Sequence, residues 1–295
     1  MERKNNIRKY RQGTKSAVYA AYGIEYKAGK IFSPVFGWIA PLLKNGNHKI
    51  GQGVYHFSTL PTDAEFSAIG EKTAAILAAA GADSMRGTCG CTCKDAGTGE
   101  ITCYATKGRY VFDNVRASLM VNTWIARHYL DFFRRAVSAQ ILADHVKVVR
   151  IHAAGDFFSR EYAEAWRTIA EAFPAVLFWT YTKRRDLENV FNGLANANIV
   201  KSFVRSGGRT SYNFGPCGKM SALYKALKAA GEDVYFCPCG IKGYENGVKC
   251  NSCAACAIHK YVLFVEHSTS YNAATDPALA DVIAIIENQG AALAA

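Results

Sequence analysis

From Val146 onward, short β-branched and aromatic runs alternate with segments of helical period, and this alternation constrains the fold more than any other feature of the chain. VKVVRIH (146–152), AVLFWTY (175–181), and residues 199–205, 234–237 and 261–267 have the composition of strands. Helices are expected over residues 159–172 with Ser159 as N-cap, over 185–195, over 220–230 up to Gly231, and over about 277–293. Upstream, GVYHFSTL (53–60) has strand composition, and FSAIGEKTAAILAAA (66–80) has helical composition closed by Gly81. Residues 112–144 are helical but too long for one ordinary helix, so a break is expected near the middle. Strands alternating with helices pair in parallel through crossovers. The expected fold class is α/β, a full or partial (β/α) barrel with a parallel sheet and a cysteine-rich C-terminal extension. Three stretches follow: 1–45, a basic arm and lead-in; 46–232, the barrel core; and 233–295, a cysteine-rich cluster-binding segment with the final strand and helix.

In such an architecture the chemistry lies at the carboxyl ends of the strands. One strand end leads into Gly155 and Asp156, the next reaches Tyr181 and Lys183 beside Arg184, and a third reaches Arg205 near Arg209. Glycine lets backbone approach closely, and the acid, phenol and cations in register form a candidate pocket. Ordinary structural roles stand beside this reading. Asp156 would cap the next helix, Tyr181 and Trp179 would pack, Lys183 and Arg184 would face water, and His152 would be a satisfied core histidine.

The ten cysteines fall into two groups, with Cys217 apart. Cys250, Cys253 and Cys256 have the C-x2-C-x2-C spacing by which three thiolates reach three corners of a [4Fe-4S] cubane, with Cys237 or Cys239 as fourth ligand. Four thiolates also suit tetrahedral zinc, which stays open as the alternative. Cys89, Cys91, Cys93 and Cys103 form the other group, and three thiolates there would leave one iron open to a ligand. Ten cysteines in 295 residues are too sparse for a disulfide scaffold. With no apolar leader or membrane span, the cytosol is the expected compartment, where clustered thiols serve as ligands. A chain this long buries a core without help from metal, so clusters would be functional additions. The net charge of +11 invites an anionic or nucleic-acid partner, though six of the basic residues lie in the first fifteen positions.

GNHKIGQGVYHFSTLP, the Cys-Tyr-Ala at 103–105, RIHAAGDFFSREYAEAW, FWTYTKR and CPCG...VKCNSCAACAIHKYVLFVEH together resemble the phage "gene product 88" family. The layout is similar to radical S-adenosylmethionine (SAM) enzymes: a strand, a cysteine loop whose third cysteine precedes an aromatic, a helix, then a strand ending in a glycine–acid segment. Cys89 and Cys93 are spaced C-x3-C, but nine residues separate Cys93 from Cys103, where the radical SAM pattern has two. The resemblance implies a phage-encoded enzyme of the host cytosol with two clusters, served by an electron donor. SAM would be cleaved at the cluster of Cys89, Cys93 and Cys103, with Gly155, Asp156 and Arg205 as cofactor contacts. Candidate catalytic groups are Asp156, Tyr181, Lys183 and Arg205. Two alternatives remain open: a metal-stabilised module that binds nucleic acid or a host protein, and an iron–sulfur redox protein without SAM.

Overall fold

The computed structural model of the chain describes residues 14–46, 50–89, 103–187, 189–201, 212–215, 217–238, 253, 255–259, 261–265 and 277–294. Helix α1 (residues 14–21) leads into an antiparallel ribbon of β1 (Tyr26–Lys27), β2 (Lys30–Ser33) and β3 (Gly37–Ile39). There follow β4 (Lys44–Asn45), β5 (Val54–His56), β6 (Glu65–Phe66), α2 (Glu71–Ala80), β7 (Met85–Arg86), α3 (Asp113–His128) and α4 (Leu130–Ala143). Next come β8 (Val148–Arg150), α5 (Arg160–Ala172), β9 (Leu177–Thr182) and β10 (Ala197–Lys201). The last elements are β11 (Tyr212–Gly215), α6 (Cys217–Ala229), β12 (Val234–Phe236), α7 (Ala255–Ile258), β13 (Tyr261–Val265) and α8 (Pro277–Ala294).

The main sheet has the order β10-β9-β8-β5-β4. Strands β5, β8, β9 and β10 are parallel and step across the sheet in chain order, while β4 adds antiparallel to β5. Of the expected full or partial barrel, the mostly parallel sheet is present, and no closed barrel is found among the described residues, where the antiparallel β4 ends the parallel run at one edge. The β5–β8 ladder continues beyond His56: Phe57 N donates to Arg150 O (3.2 Å), Ala153 N to Phe57 O (3.0 Å) and Thr59 N to Ala154 O (3.0 Å).

Helices α4 and α5 cover one sheet face. Phe57, Phe133, Tyr162 and Trp166 are fully buried there, with ring centroids 5.2–5.8 Å apart in mostly edge-on geometry; each such pair adds about 0.5–1.5 kcal/mol beyond its burial. The lead-in belongs to this core, since Tyr19, Ile24, Ile31, Leu42 and Leu43 are all buried within it. Lys15 forms an ion pair with Asp144 at the end of α4.

Local signals explain most element ends. Gly81 (φ 65°) and Gly231 (φ 72°) adopt the left-handed turn that stops α2 and α6. Ser159 Oγ accepts Tyr162 N (3.2 Å) as the N-cap of α5. Tyr129, non-helical at φ −135°, ψ 52°, supplies the break between α3 and α4. The helix expected over 185–195 is only a 3-10 turn, Arg185–Leu187. Its place is taken by a turn whose carbonyls, Val190 O and Asn192 O, accept Arg167 Nη1 from α5 at 2.7 and 3.0 Å, so no helical donors are needed.

Most of the cysteine run of the expected C-terminal extension, 237–256, lies outside the described residues; where it is described, the C-terminal part forms a second parallel sheet, β11-β13-β12. It has its own core of Met220, Val234, Phe236, Leu263, Leu279 and Val282, drawn in part from α6 and α8. No helix among the described residues is long and apolar enough to cross a membrane.

Candidate metal and cofactor site at the strand ends

Asp156 joins three strand ends. Its Oδ1 accepts Phe157 N (2.7 Å) and Thr182 Oγ1 (2.7 Å), and its Oδ2 accepts Lys183 N (2.9 Å) at the end of β9. Its own amide donates to Thr88 Oγ1 (3.1 Å), which lies 2.8 Å from Thr59 Oγ1 beyond β5 and donates to Leu60 O (2.9 Å). The carboxyl group is buried, and burial pushes its pKa up to about 6 against the pull of these donors. Asp156 is not the cap of α5, which is Ser159. At Gly155 (φ +85°) a Cβ would lie 1.9 Å from Thr59 Oγ1 and 2.7 Å from Thr88 Oγ1. The close approach that this glycine permits is filled by the protein's own threonines.

The neighbouring side chains divide clearly. His152 is buried, with Nδ1 3.1 Å from Thr180 Oγ1 and Nε2 3.0 Å from Tyr162 Oη. Burial, with a smaller contribution from Arg150, lowers its pKa to about 3, so it is a neutral core histidine. Lys183 is half-buried and meets Asp156 through its backbone. Arg184 Nη1 donates to Phe157 O (3.1 Å) while its guanidinium pairs with Asp186 (2.7 Å). Arg205 and Arg209 lie outside the described residues.

The first cysteine group starts at this same edge. Cys89 follows Thr88, is half-buried, and donates its amide to Thr62 O (2.9 Å). Cys103, also half-buried, accepts Thr106 N (3.1 Å) and Thr106 Oγ1 (2.7 Å) on its carbonyl. Cys91 and Cys93 lie outside the described residues, and Cys217 opens α6.

The second group meets the other face of the sheet. Tyr181 Oη donates to Cys256 Sγ (2.7 Å), and Asn198 Nδ2 on β10 donates to Cys256 O (2.9 Å). Cys256 packs with Ile50 before β5, with Val54 and Trp179 of the sheet, and also with Tyr235 and Val262 of the second sheet, where Cys237 and Cys253 join it. Cys253 Sγ lies 3.4 Å from Tyr235 Oη, whose ring stacks on His259 at 5.1 Å. Burial holds the Tyr181 hydroxyl well above its ordinary pKa, so it donates and the sulfur accepts. Arg150 lies over that ring, 5.2 Å from its centroid.

Three half-buried thiols around two tyrosines are donors of the chemistry that iron and zinc take, and the tyrosine hydroxyl is a hydrogen bond of the kind that tunes cluster sulfur. Among the described residues no three or more Cys, His, Asp or Glu are grouped so that they could hold a metal ion. Cys239 and Cys250, both assigned to this group from the sequence, lie outside those residues. Sequence reasoning missed Thr59, Thr88, Thr182 and Arg150. Thr182 had a signal as the polar last residue of an apolar strand, whereas Thr59 and Thr88 are 29 positions apart and become partners only through folding.

A family model described as gene product 88 matches residues 41–257, well over half of the chain. No curated protein and no solved structure matches it.

Proposed function

We propose, from the premise that this chain belongs to the gene product 88 family, that it is an iron–sulfur protein with two cysteine-ligated [4Fe-4S] clusters and acts as a radical SAM-like enzyme. One observation supports the reading: a described cysteine of each group, Cys89 and Cys256, lies beside the same parallel sheet. Cys89 directly follows Thr88, which binds the Asp156 amide, and Cys256 is bonded to Tyr181 near the end of β9. The one-way stepping of β5, β8, β9 and β10 supports a partial (β/α) barrel, whose chemistry lies at these ends.

In this reading Cys89, Cys93 and Cys103 hold the first cluster, and Cys250, Cys253 and Cys256 with Cys237 or Cys239 hold the second. When bound, the first cluster supplies the electron that reductively cleaves SAM. The chain's own residues do the positioning. Asp156 has both oxygens engaged by Phe157, Thr182 and Lys183, so it fixes the strand-end loop. Tyr181 orients the Cys256 sulfur, and Ile50, Val54 and Trp179 keep water from its apolar side.

Anaerobic purification with iron and sulfide quantitation, followed by Mössbauer and EPR spectra, tests the reading. About eight irons per chain are expected. Substituting Cys250, Cys253 and Cys256 with Ala should remove about half of them. Addition of SAM to the reduced protein should perturb the EPR signal and yield 5′-deoxyadenosine. Zinc without iron overturns the cluster assignment. Iron without any response to SAM overturns the radical chemistry and favours an iron–sulfur redox protein.

A further inference from the structure

The outward face of the β1–β3 ribbon carries two cross-strand pairs next to each other. Lys27 faces Lys30 across the hairpin turn of Ala28 (φ 50°) and Gly29 (φ 80°), and Phe32 faces Trp38. Directly opposite residues share a face, as do residues two apart on one strand, so Lys30 and Phe32 join the two pairs along β2. Ile31 and Ser33, which alternate with them, are buried, and this marks the opposite face as the inner one. Both lysines are exposed, and Phe32 and Trp38 are 43% and 40% exposed. Their rings meet edge-on, with centroids 5.3 Å apart and planes at 73°.

An aromatic pair alone would be explained as support for a short ribbon. The lysines are not, because like charges at facing positions destabilise a sheet. Among the described residues no carboxylate forms an ion pair with either. Glu25, whose carbonyl accepts Phe32 N (3.0 Å), brings one negative charge to this ribbon against the two positive ones. Phe32 also lines a cleft of about 600 Å³ with Pro34, His128 and Tyr129, the last at the break between α3 and α4 and 36% exposed. On the cleft wall Arg135 is paired with Asp131 (2.8 Å), so its charge is balanced. The aromatic surface thus continues from the ribbon into a recess.

We infer that this ribbon face binds single-stranded nucleic acid, with bases stacking on Phe32 and Trp38 and phosphates meeting Lys27 and Lys30. Every base has a π-face, and the strand repeats one negative charge per nucleotide, so exposed rings beside cations free of carboxylates match both parts of it. A duplex hides its base faces and would meet the lysines alone. An acidic peptide would likewise use the lysines but has no regularly spaced planar rings to stack on the aromatic pair. The inference is independent of iron and SAM, since residues 25–39 contain no cysteine.

The test is fluorescence anisotropy of a fluorescein-labelled oligothymidylate titrated with the full chain at several salt concentrations, beside a labelled duplex of the same length. The wild type should bind the single strand more tightly than the duplex, with affinity falling as salt rises. Phe32→Ala and Trp38→Ala should each weaken binding about five- to a hundredfold, the usual effect of losing one stacking side chain. Phe32→Tyr, which keeps the ring, should bind like the wild type. Replacing Lys27 and Lys30 together with Gln should reduce the slope of log affinity against log salt by about 1.4, at about 0.7 per phosphate contact. Thermal melts guard against misfolding: the double lysine variant should melt at or above the wild-type temperature, because a repulsion is removed. The inference is overturned if the wild type does not bind the single strand or binds the duplex as tightly. It is also overturned if both alanine variants bind as well as the wild type, which would assign binding to the basic residues of the first fifteen positions.

Discussion

Lowering the pH from 7.5 to 4 should strengthen the hold of one identifiable carboxyl group on the fold. Burial lifts the Asp156 pKa from 3.8 to about 6, although Lys183 N, Thr182 Oγ1 and Phe157 N all favour the ionised form. An acid whose folded pKa is raised binds its proton more tightly in the native state. Its contribution therefore falls as pH rises between about 3.8 and about 6, and the penalty of burying the charge is fully present above that window. The gap corresponds to about 3 kcal/mol, about half of which should be recovered by pH 5 and most by pH 4. The group is buried, so solvent screening takes little from this figure. Asp156→Asn removes the titration at the cost of about 1–3 kcal/mol, because an amide turns donors toward donors at one of its two ends. Urea denaturation of both proteins from pH 4 to 8 cancels the other carboxylates. The stability advantage of the wild type over Asp156→Asn should be largest at pH 4 and shrink by roughly 2–3 kcal/mol by pH 7.5. A constant advantage, or one that grows with pH, would refute the reasoning and show that the three donors outweigh burial.

Two further substitutions probe the same region. Gly155→Ala forces a Cβ to 1.9 Å from Thr59 Oγ1 at φ +85°; backbone strain and overpacking together should cost about 3–5 kcal/mol, and a urea midpoint close to wild type would show that the loop yields. Tyr181→Phe removes the 2.7 Å hydrogen bond to Cys256 Sγ. In iron-loaded protein the reduction potential should become more negative, since hydrogen bonds to sulfur stabilise the reduced cluster, and an unchanged voltammogram would separate that thiol from the iron.

The parallel sheet was legible because VKVVRIH and AVLFWTY are rich in β-branched and aromatic residues and are separated by a helix that announces its start with Ser159. The break at Tyr129 was legible from length alone, without a proline or glycine to mark it. The β1–β3 ribbon was not, since strands of two to four residues leave no periodicity to detect. Whether the sheet closes was not legible for a similar reason: the direction of β4 depends on a hairpin and its pairing with β5, and composition is silent on both. At the site, Asp156 stood out as an acid after an apolar strand, but its partners are mostly backbone amides and threonine hydroxyls. Their types are too common to signal anything until folding brings them together. The proximity of Cys256 to Tyr181, 75 positions away, has the same character.

The separate core of the second sheet has a kinetic consequence. Cooperative units with few buried side chains open at lower free energy than the whole protein, and among the described residues this core is much smaller than the one beneath the main sheet. Opening it would part Cys256 from Tyr181 and expose Cys237 and Cys253 while Phe57, Phe133 and Trp166 stay packed. Amide exchange should then be faster in β12 and β13 than in β8 and β9. The thiols would thus have a route to solution chemistry that leaves the larger fold intact.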